Sequence, residues 1–272
     1  LVAKGKGILA ADESTGTIEK RFASIDLEST EKNRRDWREL LFTTNNIERF
    51  ISGVILYDET LRQSSREGIP LVKILSKKGI LPGIKVDKGA KPMAHFEGEV
   101  VTEGLDGLRE RLAEYSSLGA KFAKWRGVIT VGQNLPSDAC IEANAEALGR
   151  YAALAQEAKL VPIVEPEVLM DGDHTIDRCA EITKQTLKRV FAALKRHRVN
   201  LRGMLLKPNM VIAGKECARQ ARGEKIAEMT LKVFNKIVPA RVPGMVFLSG
   251  GQTPDQATEN LRLINSQGRQ SW

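Results

Sequence analysis

A lysine at the end of a short apolar run is the residue with the clearest capacity for covalent chemistry. Lys207 follows Met204-Leu205-Leu206 and precedes Pro208. A buried run on one side and a proline on the other hold the ammonium at the edge of the core, where partial desolvation and a second cation favour the free amine. A free amine attacks a carbonyl and forms a Schiff base. The alternative is a structural lysine in an ion pair.

Carboxylates and further cations follow other apolar runs at a two-residue step. Glu165-Pro166-Glu167 directs two carboxylates to the same side of an extended chain, where one of them can act as a general acid. Lys124-Trp125-Arg126 directs two cations in the same way, which suits a phosphate group. Simple pairing of these glutamates with neighbouring lysines, and of the cations with the glutamates, is the competing interpretation.

Glycines after an apolar run suggest a place for an anion. Ser249-Gly250-Gly251 frees backbone N–H groups for an oxyanion, although a glycine pair is also typical of an ordinary turn. A P-loop is absent, because Gly214-Lys215 is followed by Glu216. The three histidines, His95, His174 and His197, are scattered and follow none of the runs, so we expect no metal site.

These polar residues terminate a series of runs that recur along the chain. We predict seven strands, which are 7–11, 53–57, 83–84, 122–123, 161–164, 203–206 and 244–248. Lys85, Lys124, Glu165, Lys207 and Ser249 lie 39, 41, 42 and 42 residues apart. Between the later runs lie amphipathic stretches that we predict as helices, namely 105–116, 137–159, 173–197, 224–238 and 253–266, with Ser137, Asp173 and Thr253 as caps.

Apolar strands joined by helical crossovers indicate a parallel sheet, and the near-regular spacing favours a closed (β/α)8 TIM barrel over an open doubly wound sheet. The active site of such a barrel lies at the carboxyl ends of its strands, so we expect the residues named above to converge there. No linker divides the chain, so we predict a single barrel domain over residues 1–272. Only about seven of the eight strands are found and the chain begins at Leu1 without a methionine, so we expect a piece of a longer protein, incomplete at both termini.

The composition limits the kinds of partner that we expect this chain to bind. The chain has 272 residues, 42% of them hydrophobic, and a formal net charge of +8, which favours anionic partners such as nucleic acid, acidic lipid or phosphorylated metabolites. Three cysteines outside any CxxC pattern argue against disulfides and for a reducing compartment. Apolar runs such as 51–57 are too short for a membrane span, so we expect a soluble intracellular protein.

Six motifs, in order along the whole chain, resemble class I fructose-bisphosphate aldolase, the Schiff-base type. They are GKGILAADES (5–14), GIKVDKG (83–89), FAKWR (122–126), VPIVEPE (161–167), LLKPNM (205–210) and FLSGGQ (247–252). The resemblance implies reversible cleavage of fructose 1,6-bisphosphate to dihydroxyacetone phosphate and glyceraldehyde 3-phosphate. It further implies a cofactor-free and metal-free barrel enzyme, a homotetramer, with a sugar phosphate as its substrate.

The same resemblance implies roles for individual residues. Lys207 looks like the Schiff-base lysine, Glu165 like its acid/base and Glu167 and Lys124 like supporting charges, while Asp12 looks like the carboxylate that takes the C4 hydroxyl proton. One phosphate is expected on Ser249 and the Gly250 and Gly251 amides, with Arg21 nearby. The other is expected on Ser14, Thr17, Lys85 and Arg126, with Arg34 a weaker correspondence. The family's first helix and everything after Trp272 are missing, so we expect weak binding of the ketose 1-phosphate and slow turnover if the molecule ends here.

Two alternatives stay open at this point. One is another Schiff-base barrel, such as a transaldolase-like or deoxyribose-phosphate aldolase-like enzyme. The other is a catalytically impaired fragment that acts as a basic binding protein, although few aromatic residues accompany its basic ones and nucleic-acid binding is disfavoured. We expect a cytoplasmic protein, with plastid or glycosome still open, and no association with membranes.

Overall fold

A computed structural model of the chain describes residues 1–267 and shows parallel strands alternating with helices. The strands are β1 (Gly7–Ala11), β2 (Ile51–Leu56), β3 (Leu81–Lys85), β4 (Ala90–Pro92), β5 (Val100–Thr102), β6 (Phe122–Ile129), β7 (Val161–Val168) and β8 (Leu205–Leu206). The α-helices are α1 (Thr15–Ala23), α2 (Glu31–Thr43), α3 (Asp58–Arg62), α4 (Leu71–Lys77), α5 (Leu108–Ser117), α6 (Asp138–Glu157), α7 (Ile176–Arg196), α8 (Gly223–Ile237) and α9 (Pro254–Ser266). Short 3₁₀ turns cover Ile47–Arg49 and Leu201–Gly203.

The main sheet has the strand order β1-β2-β3-β6-β7-β8, and β4 and β5 form a separate antiparallel hairpin. The chain divides into two compact units, to which β6 and β7 both contribute residues. The first unit comprises residues 1–86, 107–124 and 157–161, and the second the remaining described residues. The prediction of one domain over 1–272 stays a prediction.

In the first unit, β1, β2, β3 and the beginning of β6 pair in parallel. Gly83 lies opposite Phe122 and Lys85 opposite Lys124 in the β3–β6 register. Phe122 is fully buried, and a Cβ atom on Gly83 would lie 2.2 Å from its ring atoms. The aromatic ring therefore occupies the space that a side chain on β3 would need.

In the second unit, β8 pairs in parallel with β7 through Val164 and Leu206. The predicted seventh strand, 244–248, is not a full strand, since it joins β8 through a single parallel bridge between Leu206 and Met245. The backbone of this segment also runs next to β8, since Val246 N–H donates to the Leu206 carbonyl at 2.9 Å. Among residues 1–267, the main sheet thus has six strands, with this segment at the edge of β8.

The helices are close to their predicted positions, with corrections at two of the starts. Asp173 is not a cap, because α7 begins at Ile176 and the hydroxyl of Thr175 accepts from Arg178 N–H at 3.2 Å. Gly107, in a left-handed conformation with φ of 63°, delays α5 to Leu108. The Thr253 cap is confirmed, with a reciprocal bond to Gln256.

The Ser137 cap is likewise confirmed, since its hydroxyl accepts from Cys140 N–H at 3.1 Å.

Candidate functional site

Lys207 directly follows β8, as predicted, and lies against a carboxylate of the neighbouring strand. Its Nζ is 2.9 Å from Oε1 of Glu165, and the two side chains are only 14% and 4% exposed. Its backbone N–H donates to the Val164 carbonyl at 2.8 Å, which fixes the start of the side chain. The amine is therefore held in a low-dielectric position beside a group that can exchange a proton with it.

Glu167 lies two residues further along β7 and pairs with Arg126 of β6. Lys124, Arg126, Glu165 and Glu167 lie inside these strands and not beyond their ends, because both strands run further than the apolar runs suggest. Burial acts to lower the pKa of Arg126, but the charge and hydrogen bond of Glu167, together with the charges of Glu165 and Asp87, raise that pKa above its ordinary value. Asp87 accepts from the Arg126 backbone N–H at 3.3 Å. Arg126 is therefore a permanent cation beside Glu167 and Asp87.

In the first unit, Asp12 and Lys124 form a second buried charged pair. The Lys124 Nζ lies 2.8 Å from Asp12 Oδ2, and the side chains are 6% and 13% exposed. Asp12 directly follows β1. A carboxylate that is fixed beside a cation can take up a hydroxyl proton while the lysine balances the change in charge.

Glu13, the residue after Asp12, is bound by a buried arginine that no sequence pattern identifies as part of the site. Arg38 of α2 is 3% exposed, and its guanidinium donates to the Glu13 carboxylate at 2.7 Å and to the Glu13 carbonyl at 3.2 Å. Burial lowers the pKa of Arg38, and the charge of Glu13 opposes that shift. Helix α2 is rich in charged residues and resembles a solvated surface helix in sequence, so this buried arginine was missed.

Four of the predicted phosphate-binding residues, Ser14, Thr17, Arg21 and Arg34, lie in α1 or α2 or directly before α1. The hydroxyls of Ser14 and Thr17 are 3.0 Å apart. Arg21 is largely exposed and pairs with Glu13. Arg34 donates to both oxygens of Glu59, at 2.9 and 2.6 Å, and this hydrogen bonding raises its pKa despite opposing desolvation. A phosphate bound by either arginine would therefore have to share that arginine with a carboxylate.

Lys85, another predicted phosphate ligand, ends β3 as expected and lies with Nζ 5.6 Å from the centre of the Tyr57 ring. This contact is a cation–π interaction and leaves the ammonium's hydrogens available to an anion. The phosphate roles of Ser14, Thr17, Arg21, Arg34, Lys85 and Arg126 stay predictions.

In the second unit, Ser249, Gly250 and Gly251 form a tight turn. Gln252 N–H donates to the Ser249 carbonyl at 3.2 Å, and the two central glycines have φ of 62° and 85°, as in a type I′ turn. Within residues 1–267, no acceptor receives the N–H groups of Gly250 and Gly251. Consecutive free N–H groups of this kind form an anion-binding concavity.

The described part of the chain contains no set of side chains that could coordinate a metal ion. No group of three His, Cys, Asp or Glu side chains among residues 1–267 could hold a metal ion. A search of the same residues also finds no helix long and apolar enough to cross a membrane.

The parallel sheet with helical crossovers, and a lysine beside a carboxylate on neighbouring strands, define an α/β enzyme of the TIM-barrel type. The whole chain, residues 1–272, matches the family model for glycolytic fructose-bisphosphate aldolase class-I. The chain therefore belongs to the class-I fructose-bisphosphate aldolase family, whose members are lyases. The family and the fold class predicted from the sequence are thus confirmed.

Individual relatives agree over nearly the whole chain. A probable class 1 fructose-bisphosphate aldolase of Xanthomonas campestris is 57% identical over 272 residues, which are 100% of this chain and 81% of that protein. The cytosolic fructose-bisphosphate aldolase 4 of Arabidopsis thaliana is 52% identical over 98% of this chain and 68% of its own length. The solved structure of fructose-bisphosphate aldolase from Plasmodium falciparum, in complex with TRAP and a small-molecule inhibitor, has a TM-score of 0.99 and 49% identity. It covers 100% of this chain, which corresponds to 79% of that one.

Proposed function

We propose that this chain cleaves fructose 1,6-bisphosphate reversibly to dihydroxyacetone phosphate and glyceraldehyde 3-phosphate through a Schiff base on Lys207. The observation that supports this role best is the 2.9 Å contact between Lys207 Nζ and Glu165 Oε1, on two side chains that water barely reaches. Catalysis by an amine requires a proton acceptor within hydrogen-bond distance of the nucleophile, and Glu165 satisfies that requirement.

The first half of the reaction forms the imine. The neutral amine of Lys207 attacks C2 of the ketose, and the carbonyl oxygen takes a proton to give a carbinolamine. Glu165 then donates a proton to that hydroxyl, which leaves as water, and a protonated imine remains. Glu167, the other glutamate of β7, forms an ion pair with Arg126 beside this chemistry, so the proton transfers are assigned to Glu165.

The second half breaks the bond between C3 and C4. Asp12 takes the proton of the C4 hydroxyl, C4 becomes the aldehyde carbon of glyceraldehyde 3-phosphate, and the bonding electron pair moves from C3 into the protonated imine to give an enamine. Protonation at C3 and hydrolysis then release dihydroxyacetone phosphate and regenerate Lys207. Lys124, 2.8 Å from Asp12, balances the charge change on the carboxylate.

The phosphate groups set the orientation of the substrate. The turn of Ser249, Gly250 and Gly251 supplies free backbone N–H groups for one phosphate. Ser14, Thr17, Lys85 and Arg126 supply hydroxyls and cations for the other.

Assembly and location complete the proposal. The chain forms a homotetramer and works in the cytoplasm, as the names of the cytosolic plant relatives suggest for the location. Light scattering coupled to size-exclusion chromatography tests the assembly, and a mass near that of one 30.0 kDa chain would contradict it.

Borohydride trapping tests the chemistry. The chain is incubated with dihydroxyacetone phosphate and borohydride, which reduces a transient imine to a stable amine, and the adduct is located by peptide mass mapping. We expect a three-carbon phosphate adduct on the peptide that contains Lys207, and none in Lys207→Met. An adduct on another lysine, or none in a sample shown to be folded by circular dichroism, would contradict the proposal. A cleavage assay with fructose 1,6-bisphosphate against a monophosphate sugar separates it from other Schiff-base enzymes.

A further inference from the structure

A lysine outside every predicted site lies against the glycine turn. The Lys215 side chain places both Cε and Nζ 3.0 Å from the position that a Cβ atom on Gly251 would occupy. Met170 Sδ lies 3.1 Å from the same position. Gly251 is therefore a glycine for two reasons, since its φ of 85° disfavours a side chain and the lysine fills the space.

The segment that carries Lys215 is held by three successive backbone hydrogen bonds. Gly214 N–H donates to the His174 carbonyl at 2.8 Å, Lys215 N–H to the Met170 carbonyl at 2.7 Å, and Glu216 N–H to the Gly172 carbonyl at 3.0 Å. A Cβ atom on Gly214 would lie 2.2 Å from the Gly172 carbonyl oxygen, so the two segments are in close contact. The position of the lysine backbone relative to residues 170–174 is thus fixed.

We propose that Lys215 is a further specificity-determining residue of this enzyme, and that its ammonium binds the substrate phosphate held by the Gly250 and Gly251 N–H groups. The inference deepens the proposed function and rests on it. The resemblance places Ser249, the Gly250 and Gly251 amides and Arg21 near this phosphate, and the inference adds Lys215 as a second cation.

The distances suit one phosphate bound by both donors. The nitrogen and the Cβ position of one residue are roughly 2.5 Å apart, so Lys215 Nζ lies at most about 5.5 Å from Gly251 N. An oxygen that accepts from the amide lies about 2.9 Å from its nitrogen, and a second oxygen of the same phosphate is then within hydrogen-bond distance of the ammonium after a small rotation of the side chain. Charge-assisted bonds to phosphate are stronger than bonds from neutral amides.

Asp171 is the group that competes for the ammonium. Its Oδ1 lies 3.2 Å from Lys215 Nζ, and the two side chains are 64% and 49% exposed. An ion pair in this degree of contact with water contributes little, so a dianionic phosphate displaces it at low cost. Asp171 also repels the phosphate, and its removal is therefore expected to strengthen binding.

Lys225 provides a matched control. Its Nζ forms an ion pair of 3.1 Å with Glu228, and its side chain is 49% exposed, the same fraction as that of Lys215. It lies in helix α8 of the same unit, and among residues 1–267 the hydrogen bonds and the ion pair of its Nζ are with Glu228. Lys225→Met therefore removes the same charge from the chain without touching the proposed site.

Two readouts test the proposal. The first is titration of the ¹⁵N-glycine-labelled chain with inorganic phosphate, in which the amide signals of Gly250 and Gly251 report binding at this turn. The second is the rate of borohydride trapping with dihydroxyacetone phosphate relative to dihydroxyacetone, which lacks the phosphate.

We expect Lys215→Met to weaken phosphate binding at the two glycines by about three- to tenfold and to lower the trapping ratio by a similar factor, with dihydroxyacetone unaffected. Lys215→Arg retains most of the affinity, Asp171→Asn increases it, and Lys225→Met changes neither readout.

Equal phosphate affinity in Lys215→Met, Lys225→Met and the unaltered chain would overturn the inference. Failure of the unaltered chain to form an adduct with either ketone would instead overturn the proposed function, and the phosphate titration would still decide the role of Lys215. A fall in both trapping rates in Lys215→Met would indicate a structural defect and would also count against the inference.

Discussion

The Nζ of Lys207 and the Oε1 of Glu165 lie 2.9 Å apart on neighbouring parallel strands, and the carboxylate of this pair is 4% exposed. Each side chain would be costly to bury without the other, so both are held in one geometry. In this position the glutamate can take the proton that the amine must lose before it attacks a carbonyl, and return it to the departing hydroxyl.

Glu165→Gln retains the shape of this contact and removes the proton exchange. We expect the trapping rate with dihydroxyacetone phosphate to fall by about 10²- to 10⁴-fold, the range typical of a lost general acid or base. The adduct still forms on Lys207, because the nucleophile is intact. Single-turnover trapping with peptide mapping measures both. A rate within threefold of the unaltered chain would show that Glu165 only balances charge.

Asp12→Asn is expected to separate bond cleavage from imine formation. Asp12 pairs with Lys124 at 2.8 Å and directly follows β1, whereas the Schiff base is assigned to Lys207 and Glu165. The variant should lose about 10²- to 10⁴-fold in turnover of fructose 1,6-bisphosphate and keep its trapping rate with dihydroxyacetone phosphate, which needs no C4 proton transfer. A parallel loss in both assays would assign Asp12 to imine formation or to structure.

The positions of several site residues follow from the sequence because they depend on local pattern. The end of β3 at Lys85 and the end of β1 just before Asp12 are both set by where an apolar run stops. The same pattern places Lys207 next to β8. Burial of β-branched and large apolar side chains against a second layer is a local requirement of a parallel strand, so sequence alone reveals it.

The partners of the ion pairs cannot be predicted from local sequence pattern in this way. Lys124 and Arg126 share the predicted two-residue step, yet the first pairs with Asp12 and the second with Glu167. Which carboxylate a cation meets depends on the strand order and on side-chain length, and neither is encoded in the spacing. Buried Arg38 shows the same limit, since its partner Glu13 lies 25 residues away in the chain.

Two arginines pair with Glu13, one buried and one exposed, so they test how burial changes the contribution of an ion pair to the free energy of unfolding. Arg38 is 3% exposed and Arg21 is 63% exposed, and both donate to the Glu13 carboxylate. Arg38→Met leaves a poorly hydrated carboxylate with one exposed partner, and we expect a loss of about 3 kcal/mol in the free energy of unfolding. Arg21→Met should cost about 0–1 kcal/mol. Urea unfolding of both variants measures the difference, and equal losses would refute the assignment to burial.

The three cysteines should differ in reactivity. Desolvation raises the pKa of Cys140 to about 11, and burial also raises the pKa of Cys179. At pH 8 a thiol with a pKa near 11 is ionised in only about one molecule in a thousand, whereas Cys217 is partly accessible. Iodoacetamide at pH 8 is therefore expected to label Cys217 in the native chain and all three cysteines in urea.

Mass mapping of the labelled peptides decides this point, and Cys217→Ser is the control that should remove native labelling. Labelling of Cys140 at a rate near that of Cys217 would show that the β5–α6 region opens readily. Raising the pH from 8 towards 11 should increase labelling of Cys140, because the thiolate is the reactive form and its fraction rises as the pH approaches the raised pKa.

The close packing of Gly83 on β3 against Phe122 on β6 can be tested directly by substitution. A Cβ atom on Gly83 would lie 2.2 Å from two ring atoms of Phe122, which is fully buried. Gly83→Ala must displace this ring, and we expect a cost of about 1–3 kcal/mol in the free energy of unfolding. Gly16→Ala, in α1 with no atom within 4 Å of the new methyl, should be neutral or stabilising by up to about 1 kcal/mol. Phe122→Leu frees space beside Gly83, so the double variant should lose less than the sum of the two single losses in urea unfolding, while strictly additive losses would place the strain of Gly83→Ala elsewhere.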